Sequence, residues 1–221
     1  MDIHVLGICG SPIKGGNTEL FLKEAMKAIE DVPDVNTEVI TLVGKDIKDC
    51  IHCNWCLRKQ QEGKLCSIED DMVDIFPRVL AADVLLFATP AYVARVSGHL
   101  AKVMDRLRAC AFGNVYEGRL KDKVGGALAV GWMRHGGIET SLLSIDYFFF
   151  GFEMITATVH HPGVLFGAGG TSSFGGTGKF DPKDKLGIFK DEWGLNAARA
   201  LAQRTVELAR IIKAGKEALG V

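Results

Sequence analysis

Ile3-His4-Val5-Leu6-Gly7-Ile8-Cys9, followed by Gly10-Ser11-Pro12-Ile13-Lys14-Gly15-Gly16-Asn17-Thr18, decides the architecture. The first stretch is a nearly continuous apolar run, as expected of a strand covered on both faces. The second is a loop of glycines, hydroxyls and amides, and Leu20, Phe21, Ala25, Ala28 and Ile29 after it form the buried stripe of a helix. Glycines let backbone N–H groups approach an anion, Ser11, Asn17 and Thr18 offer side-chain donors, and the helix N-terminus adds its dipole. A Walker loop would need Lys then Ser/Thr after its last glycine, whereas Gly15 leads into Gly16-Asn17. A dinucleotide fingerprint fails as well, because only Gly7-x-x-Gly10 is present. A mononucleotide phosphate site remains, against the plainer alternative of a turn with Asn17 or Thr18 as helix N-cap.

Outward from this unit, strand and helix patterns alternate. Val35–Leu42 reads as a second strand, and Val84–Ala88 as a third that ends at Thr89-Pro90-Ala91-Tyr92. Lys123–Val130 reads as a fourth and Met154–Val159 as a fifth. Helices are expected through Met72, Ile75, Phe76, Val79 and Leu80, where Pro77 should kink or shorten the stripe. Others are expected after a Ser97 cap, through Leu142, Ile145 and Phe149, and from about Leu195 to Ala214. The segment His160–Lys179 holds seven glycines, which makes it either mobile or folded over a site. Such alternation calls for a doubly wound parallel sheet with helices on both faces. Ligands of such sheets bind beyond the carboxyl ends of the strands, where Gly10–Asn17, Thr89–Val93 and Gly131–Gly137 would gather.

The chain of 221 residues reads as a single domain, 1–221, with a cysteine-rich insertion at 50–66. A formal net charge of −1 steers it toward neither nucleic acid nor an anionic membrane. No apolar run approaches the ~18 residues of a membrane span, and the N-terminus has no secretory pattern. A cytoplasmic location is therefore expected, and clustered thiols there read as metal or redox chemistry before disulfides. Cys50, Cys53, Cys56 and Cys66 can converge on one centre, which is the arithmetic of a four-thiolate iron–sulfur site. Free or redox-active thiols and a zinc site remain alternatives, although zinc would more naturally use two separate knuckles. Cys9 and Cys110 read as packing residues.

Gly10-Ser11-Pro12, Gly16-Asn17-Thr18, Thr89-Pro90-Ala91-Tyr92, Val96-Ser97, Lys102-x-x-x-Asp105-Arg106 and His135-Gly136-Gly137 stand in the order and spacing of a known family. From Ile3 to about Phe166 the chain resembles the flavodoxin-like NAD(P)H-dependent FMN reductases. With the cysteines included, it most resembles the iron–sulfur flavoproteins among them. The resemblance implies the five-stranded flavodoxin-like order 2-1-3-4-5, FMN as cofactor, and a homodimer or homotetramer. It assigns Ser11, Asn17 and Thr18 to the phosphate, with Lys14 as an extra charge. Pro90, Ala91, Tyr92 and Val93 would wrap the ribityl chain and ring, and Arg134, His135, Gly136 and Gly137 would lie beside the pyrimidine. Cys50, Cys53, Cys56 and Cys66 would hold a [4Fe–4S] cluster, although the Cys56–Cys66 gap is longer than usual there. Trp132 is expected at a core edge, and Asp105 and Arg106 are expected to pair with each other or cap structure.

The implied function is an FMN oxidoreductase. It would pass electrons between a ferredoxin-like donor or NAD(P)H and a small-molecule acceptor such as a quinone, a flavin or dioxygen. The rivals are a cluster-free NAD(P)H:FMN or quinone reductase, a passive carrier of the flavodoxin type, and a thiol–metal module without flavin. Against the passive carrier stands the near-neutral charge.

Overall fold

The structure, a computed structural model, describes residues 1–160, 165–179 and 181–220. Its strands are β1 (Ile3–Cys9), β2 (Val35–Thr41), β3 (Val84–Pro90), β4 (Val124–Gly131), β5 (Ile155–Thr156) and β6 (Ala168–Thr171). They lie in the order β2-β1-β3-β4-β5, with β6 also on β4, and every pairing is parallel. The flavodoxin-like order expected from the sequence is the one observed.

Period-two alternation divides the side chains between two layers. Ile3, Val5 and Cys9 of β1 and Val84, Leu86 and Ala88 of β3 pack on α1 (Asn17–Lys27) and α7 (Glu192–Leu219). Leu6, Ile8, Leu85 and Phe87 face the opposite layer. That layer holds α3 (Met72–Ala81), α4 (Gly98–Arg106), α5 (Arg108–Ala111) and α6 (Ile138–Gly151). There Phe87 packs in tilted pairs with Phe148 and Phe149, which meet each other edge-on, with ring centroids 5.4 to 5.8 Å apart. A short helix, α2 (Trp55–Arg58), lies in the cysteine segment.

The structure corrects several expectations. The fifth strand is not one run over Met154–Val159: β5 pairs with Val124 and Gly125, and β6 takes up the same edge of β4 from Leu128 to Gly131. The Ala157 N–H still donates to the Gly125 carbonyl at 2.8 Å; residues 158–160 and 165–167 belong to neither strand, and 161–164 lie outside the described residues. The remainder of the glycine-rich segment is folded: Met133 bridges Thr177, and the Arg134 N–H donates to the Gly176 carbonyl at 2.9 Å. Helix α3 runs through Pro77, which sits on the exposed face with Val73, where water can solvate the carbonyl that loses its donor. Helix α1 starts one residue earlier than expected, with Gly16 as N-cap. Ser97 caps α4 as expected, accepting from the Leu100 N–H at 3.1 Å. Arg106 does not pair with Asp105. It reaches Asp70 in a bidentate bond of 2.6 and 3.2 Å, with both side chains buried.

Two buried acids illustrate opposite electrostatics. Burial disfavours the Asp70 anion, but Arg106 and the N–H groups of Lys48 and Met72 hold it below the ordinary carboxylate range. Asp146, on α6, has no cation beside it among the described residues and one oxygen without a partner there, and burial alone lifts it to about 7. A folded-state value above the unfolded one makes the native state bind the extra proton, so Asp146 lowers stability as pH rises from about 4 to 7. Asp146→Asn is therefore expected to raise the urea midpoint at pH 8, to raise it less at pH 5 and to leave it nearly unchanged at pH 3; equal midpoints at pH 8 would exclude this.

Candidate functional site

Because the sheet is parallel, the loops after β1, β3 and β4 emerge at one edge. The first is drawn against α4 at Gly10, whose carbonyl accepts the Ser97 hydroxyl at 2.7 Å. A Cβ on Gly10 would lie 2.6 Å from Leu100 Cβ, so the loop can leave β1 at this angle only with glycine there. Ser11 and Thr18 are buried, and Ser11 Oγ accepts from the Ile13 N–H at 3.1 Å. Gly16 places no capping side chain on α1, so the first-turn N–H groups of Asn17 and Thr18 have no side-chain cap from it. The Gly15 N–H donates to Glu19 Oε2 at 2.7 Å, while Lys23 binds Oε1 at 2.6 Å. Burial disfavours the Glu19 anion, yet Lys23, the Gly15 N–H and the nearby Lys14 keep it below its usual range. The Asn17 side chain ties the loop to the segment before α7: Nδ2 donates one N–H to the Lys185 carbonyl at 2.9 Å and Oδ1 accepts the Ile188 N–H at 3.1 Å.

The second loop is a tight reversal in which Tyr92 and Arg95 exchange backbone bonds of 3.0 and 3.2 Å. Its two central residues, Val93 and Ala94, have φ of 51° and 59°. A β-branched residue in that region is strained, and Val93 is 94% exposed, so no packing side chain requires it there. Pro90 ends β3, the Ala91 N–H donates to the Val130 carbonyl, and Tyr92 is partly exposed. The third loop meets the second at Gly137, with φ 86°, where a Cβ would lie 2.2 Å from Ala94 Cα. Thr140 Oγ1 donates to the Ala94 carbonyl at 2.7 Å and completes the junction. Trp132 is 52% exposed at this edge rather than at a core edge. The structure thus joins the second loop, at Ala94, to the third, at Gly137 and Thr140. It directs Arg134 and His135 to a cavity of about 580 Å³, between the third loop, β6 and the start of α7. That cavity had no sequence signal, because its far wall depends on β6.

Cys50, Cys53, Cys56 and Cys66 are free thiols in one excursion between β2 and α3. The long Cys56–Cys66 gap is a closed turn, in which Gln61 and Lys64 exchange backbone bonds of 3.2 and 3.0 Å. Buried Gln60 pins it: Nε2 donates to the Leu65 and Ala109 carbonyls, and Oε1 accepts from the Val115 and Tyr116 N–H groups. Burial pushes the Cys56 thiol up, and Cys66, Cys50 and Cys53 lie near enough to add to that shift. Cys53 is exposed and held low by Ser67 and the Trp55 N–H. Among the described residues no group of three or more His, Cys, Asp or Glu is set to hold a single metal ion. Four cysteine thiols in one excursion are the donor type that iron–sulfur clusters take. Beside Cys66 lies the buried Arg106 guanidinium, whose Nε has no hydrogen-bond partner. Cys50 also borders a groove of about 640 Å³ formed with Arg108, Phe112, Tyr147 and Phe152.

Residues 3–167 match the family described as NADPH-dependent FMN reductase. An iron-sulfur flavoprotein of Methanocaldococcus jannaschii is 37% identical over 211 residues, covering 96% of this chain and all of that one. One from Archaeoglobus fulgidus is 34% identical over 205 residues, covering 92% and 96%. Among solved structures, RosB with a bound 8-demethyl-8-formylriboflavin-5'-phosphate intermediate superposes with a TM-score of 0.72 at 17% identity, covering 96% of this chain and 80% of RosB. An NAD(P)H:quinone oxidoreductase from Methanothermobacter marburgensis gives 0.63 at 17% identity, with coverage of 94% and 98%. These two likenesses are of fold. No helix among the described residues is long and apolar enough to cross a membrane.

Thiol reactivity checks this arrangement. Burial raises Cys9 to about 11 and Cys110 to about 12, so both should resist iodoacetamide in the native apoprotein while Cys53 is modified first. Peptide mapping after graded alkylation reads the order, and early labelling of Cys110 would contradict the packing described.

Proposed function

This chain belongs to the NADPH-dependent FMN reductase family and is an FMN-dependent oxidoreductase; on that premise we propose that it also carries a [4Fe–4S] cluster on Cys50, Cys53, Cys56 and Cys66. Bound FMN supplies the ability to accept two electrons together and release them singly, so the protein's work is to hold the ring and set its surroundings. In this reading the first-turn amides of α1, with Ser11, Thr18 and the charge of Lys14, receive the phosphate. Asn17 contributes its backbone N–H there, while its side chain anchors residues 185–188. Pro90, Ala91, Tyr92 and Val93 flank the ribityl chain and ring, and Gly136 and Gly137 let the third loop close on them. Arg134 and His135 supply polar groups toward the adjoining cavity. The observation that carries the flavin reading is the uncapped α1 N-terminus at the strand edge where the second and third loops meet.

The cluster reading rests on the donor set, on the Gln60-pinned turn that returns Cys66, and on the names of the relatives. A one-electron centre suits a ferredoxin-like protein as donor, with NAD(P)H as the two-electron alternative and a quinone, flavin or dioxygen as acceptor. The exposed rim of Tyr92, Val93 and Trp132 suits coverage by a second copy of the chain, in a homodimer or homotetramer. A cytoplasmic setting belongs to the same proposal.

Ser11→Ala and Thr18→Ala should each weaken FMN by about 1.5–3 kcal/mol, the value of a hydrogen bond to a charged group, and riboflavin far less. Fluorescence titration of both flavins decides it; equal losses would remove the loop from the phosphate. Anaerobic reconstitution should bring iron and sulfide to about four per chain. Cys53→Ser should abolish that content and spare FMN, since the thiols follow β2 and the phosphate loop follows β1. Failure to reconstitute under strict anaerobiosis would leave a thiol-bearing NAD(P)H-dependent flavin or quinone reductase.

A further inference from the structure

Arg106 closes α4 and is one of the largest fully buried side chains of the molecule, with 1% of its side chain exposed. Its terminal nitrogens are fully used. Nη1 donates to Asp70 Oδ2 at 2.6 Å and the Lys48 carbonyl at 3.0 Å; Nη2 donates to Asp70 Oδ1 at 3.2 Å and the Ile68 carbonyl at 3.4 Å. Nε alone has no acceptor. A buried N–H without a partner is costly, and here the planar fork that binds Asp70 fixes its direction, so the side chain cannot turn it to solvent. The group beside the guanidinium is the Cys66 sulfur. A protonated thiol is a poor acceptor, whereas a thiolate is a strong, charge-assisted one. A Cys66 sulfur bound to iron would offer Nε an acceptor of that kind.

We propose that Arg106 is a positioning residue for the iron–sulfur centre: its Nε–H donates to the Cys66 sulfur, orients that ligand and raises the reduction potential of the cluster. This deepens the cluster reading and rests on it. Hydrogen bonds to cluster sulfur and nearby positive charge favour the more negative, reduced state. Asp70 has the supporting part, because it holds the fork in the orientation that aims Nε, and its anion offsets part of the buried charge. The arrangement also explains why a buried cation is tolerated beside the thiol segment, where an apolar residue would pack at lower desolvation cost.

The test uses the full chain, reconstituted anaerobically with iron and sulfide, as wild type, Arg106→Lys and Arg106→Gln. Iron and sulfide per chain are counted, FMN content and far-UV circular dichroism are recorded, and the paramagnetic signal is titrated against potential. Lysine keeps a cation for Asp70 but has no Nε–H. Both variants should retain iron, and the ratio of reduced to oxidised cluster at the wild-type midpoint should fall about tenfold, a shift of about 59 mV to more negative potential for a one-electron couple. Iron lost from a folded, FMN-containing Arg106→Lys protein would overturn the proposal, since it would make Arg106 a brace of the cysteine segment instead of a residue that tunes the cluster. Full iron with an unchanged midpoint in both variants overturns it and leaves the cluster reading standing. A wild type that takes up no iron overturns the cluster reading, and this proposal with it. Should the single variants fail to fold, Asp70→Asn with Arg106→Gln leaves no unpaired charge, and the same titration on that protein decides the question: a lowered midpoint supports the proposal, and an unchanged one overturns it.

Discussion

One guanidinium holds both ends of the cysteine excursion. Arg106 donates to each side: the Lys48 carbonyl lies just before the first cysteine, and the Ile68 carbonyl and Asp70 carboxylate lie just after the last. Asp70 in turn takes the Lys48 N–H at 2.9 Å, so the two ends are bonded to each other as well as to α4. A long irregular excursion costs much conformational entropy to order. A buried, bidentate ion pair at the neck reduces what the rest must supply, and the Gln60 network orders the far end. Removing one partner of such a pair costs about 3–5 kcal/mol because the other charge is left buried. The thiol positions therefore depend on a contact that no cysteine makes.

The loop edge beyond β1, β3 and β4 depends on a different constraint, namely close approach. Gly10 lets the first loop pass against Leu100 and Ser97, and Gly137 lets the third loop pass against Ala94. At the same junction the second loop carries two successive left-handed residues, Val93 and Ala94. Backbone strain of this kind costs on the order of 1–3 kcal/mol per residue and persists only where neighbours over-determine it. Here the neighbours are the Tyr92–Arg95 pairing and the Thr140 bond to Ala94.

What the sequence made legible was local or periodic. The apolar runs at Ile3–Cys9 and Val84–Ala88, the Ser97 cap and the glycine-rich first loop report on their own backbone, and each lies where the pattern puts it. The features it hid were all long-range. Arg106 sits next to Asp105 in sequence, but burial of α4 turns it toward Asp70, thirty-six residues away. The split fifth strand was hidden because two short segments, Ile155–Thr156 and Ala168–Thr171, share one edge of β4, and neither has the length of a strand alone. Trp132 has a core residue's composition and an exposed position, since the loop that carries it is held by Gly176 and Ser173 instead of by its ring. For the site, the residue types were readable, while the commitment of the Asn17 side chain to residues 185–188 was not.

The family match ends at residue 167, yet much of the bracing of the site comes from beyond it. The first loop is tied through Asn17 to Lys185 and Ile188, and the third through Arg134 to Gly176. Asp191 caps α7 through Gly194 and, with its other oxygen, takes the Thr171 N–H and hydroxyl at 2.7 and 3.0 Å, which anchors β6 to the helix. The loops that define the family are thus held by a segment outside the part of the chain that matches it. A contact set of this kind can change without altering any matched motif, because it works through backbone carbonyls and caps that many residue types can provide. Differences among relatives in how tightly this loop edge is held should therefore be sought in the stretch from β6 to the start of α7, where one wall of the cavity beside Arg134 and His135 is also built.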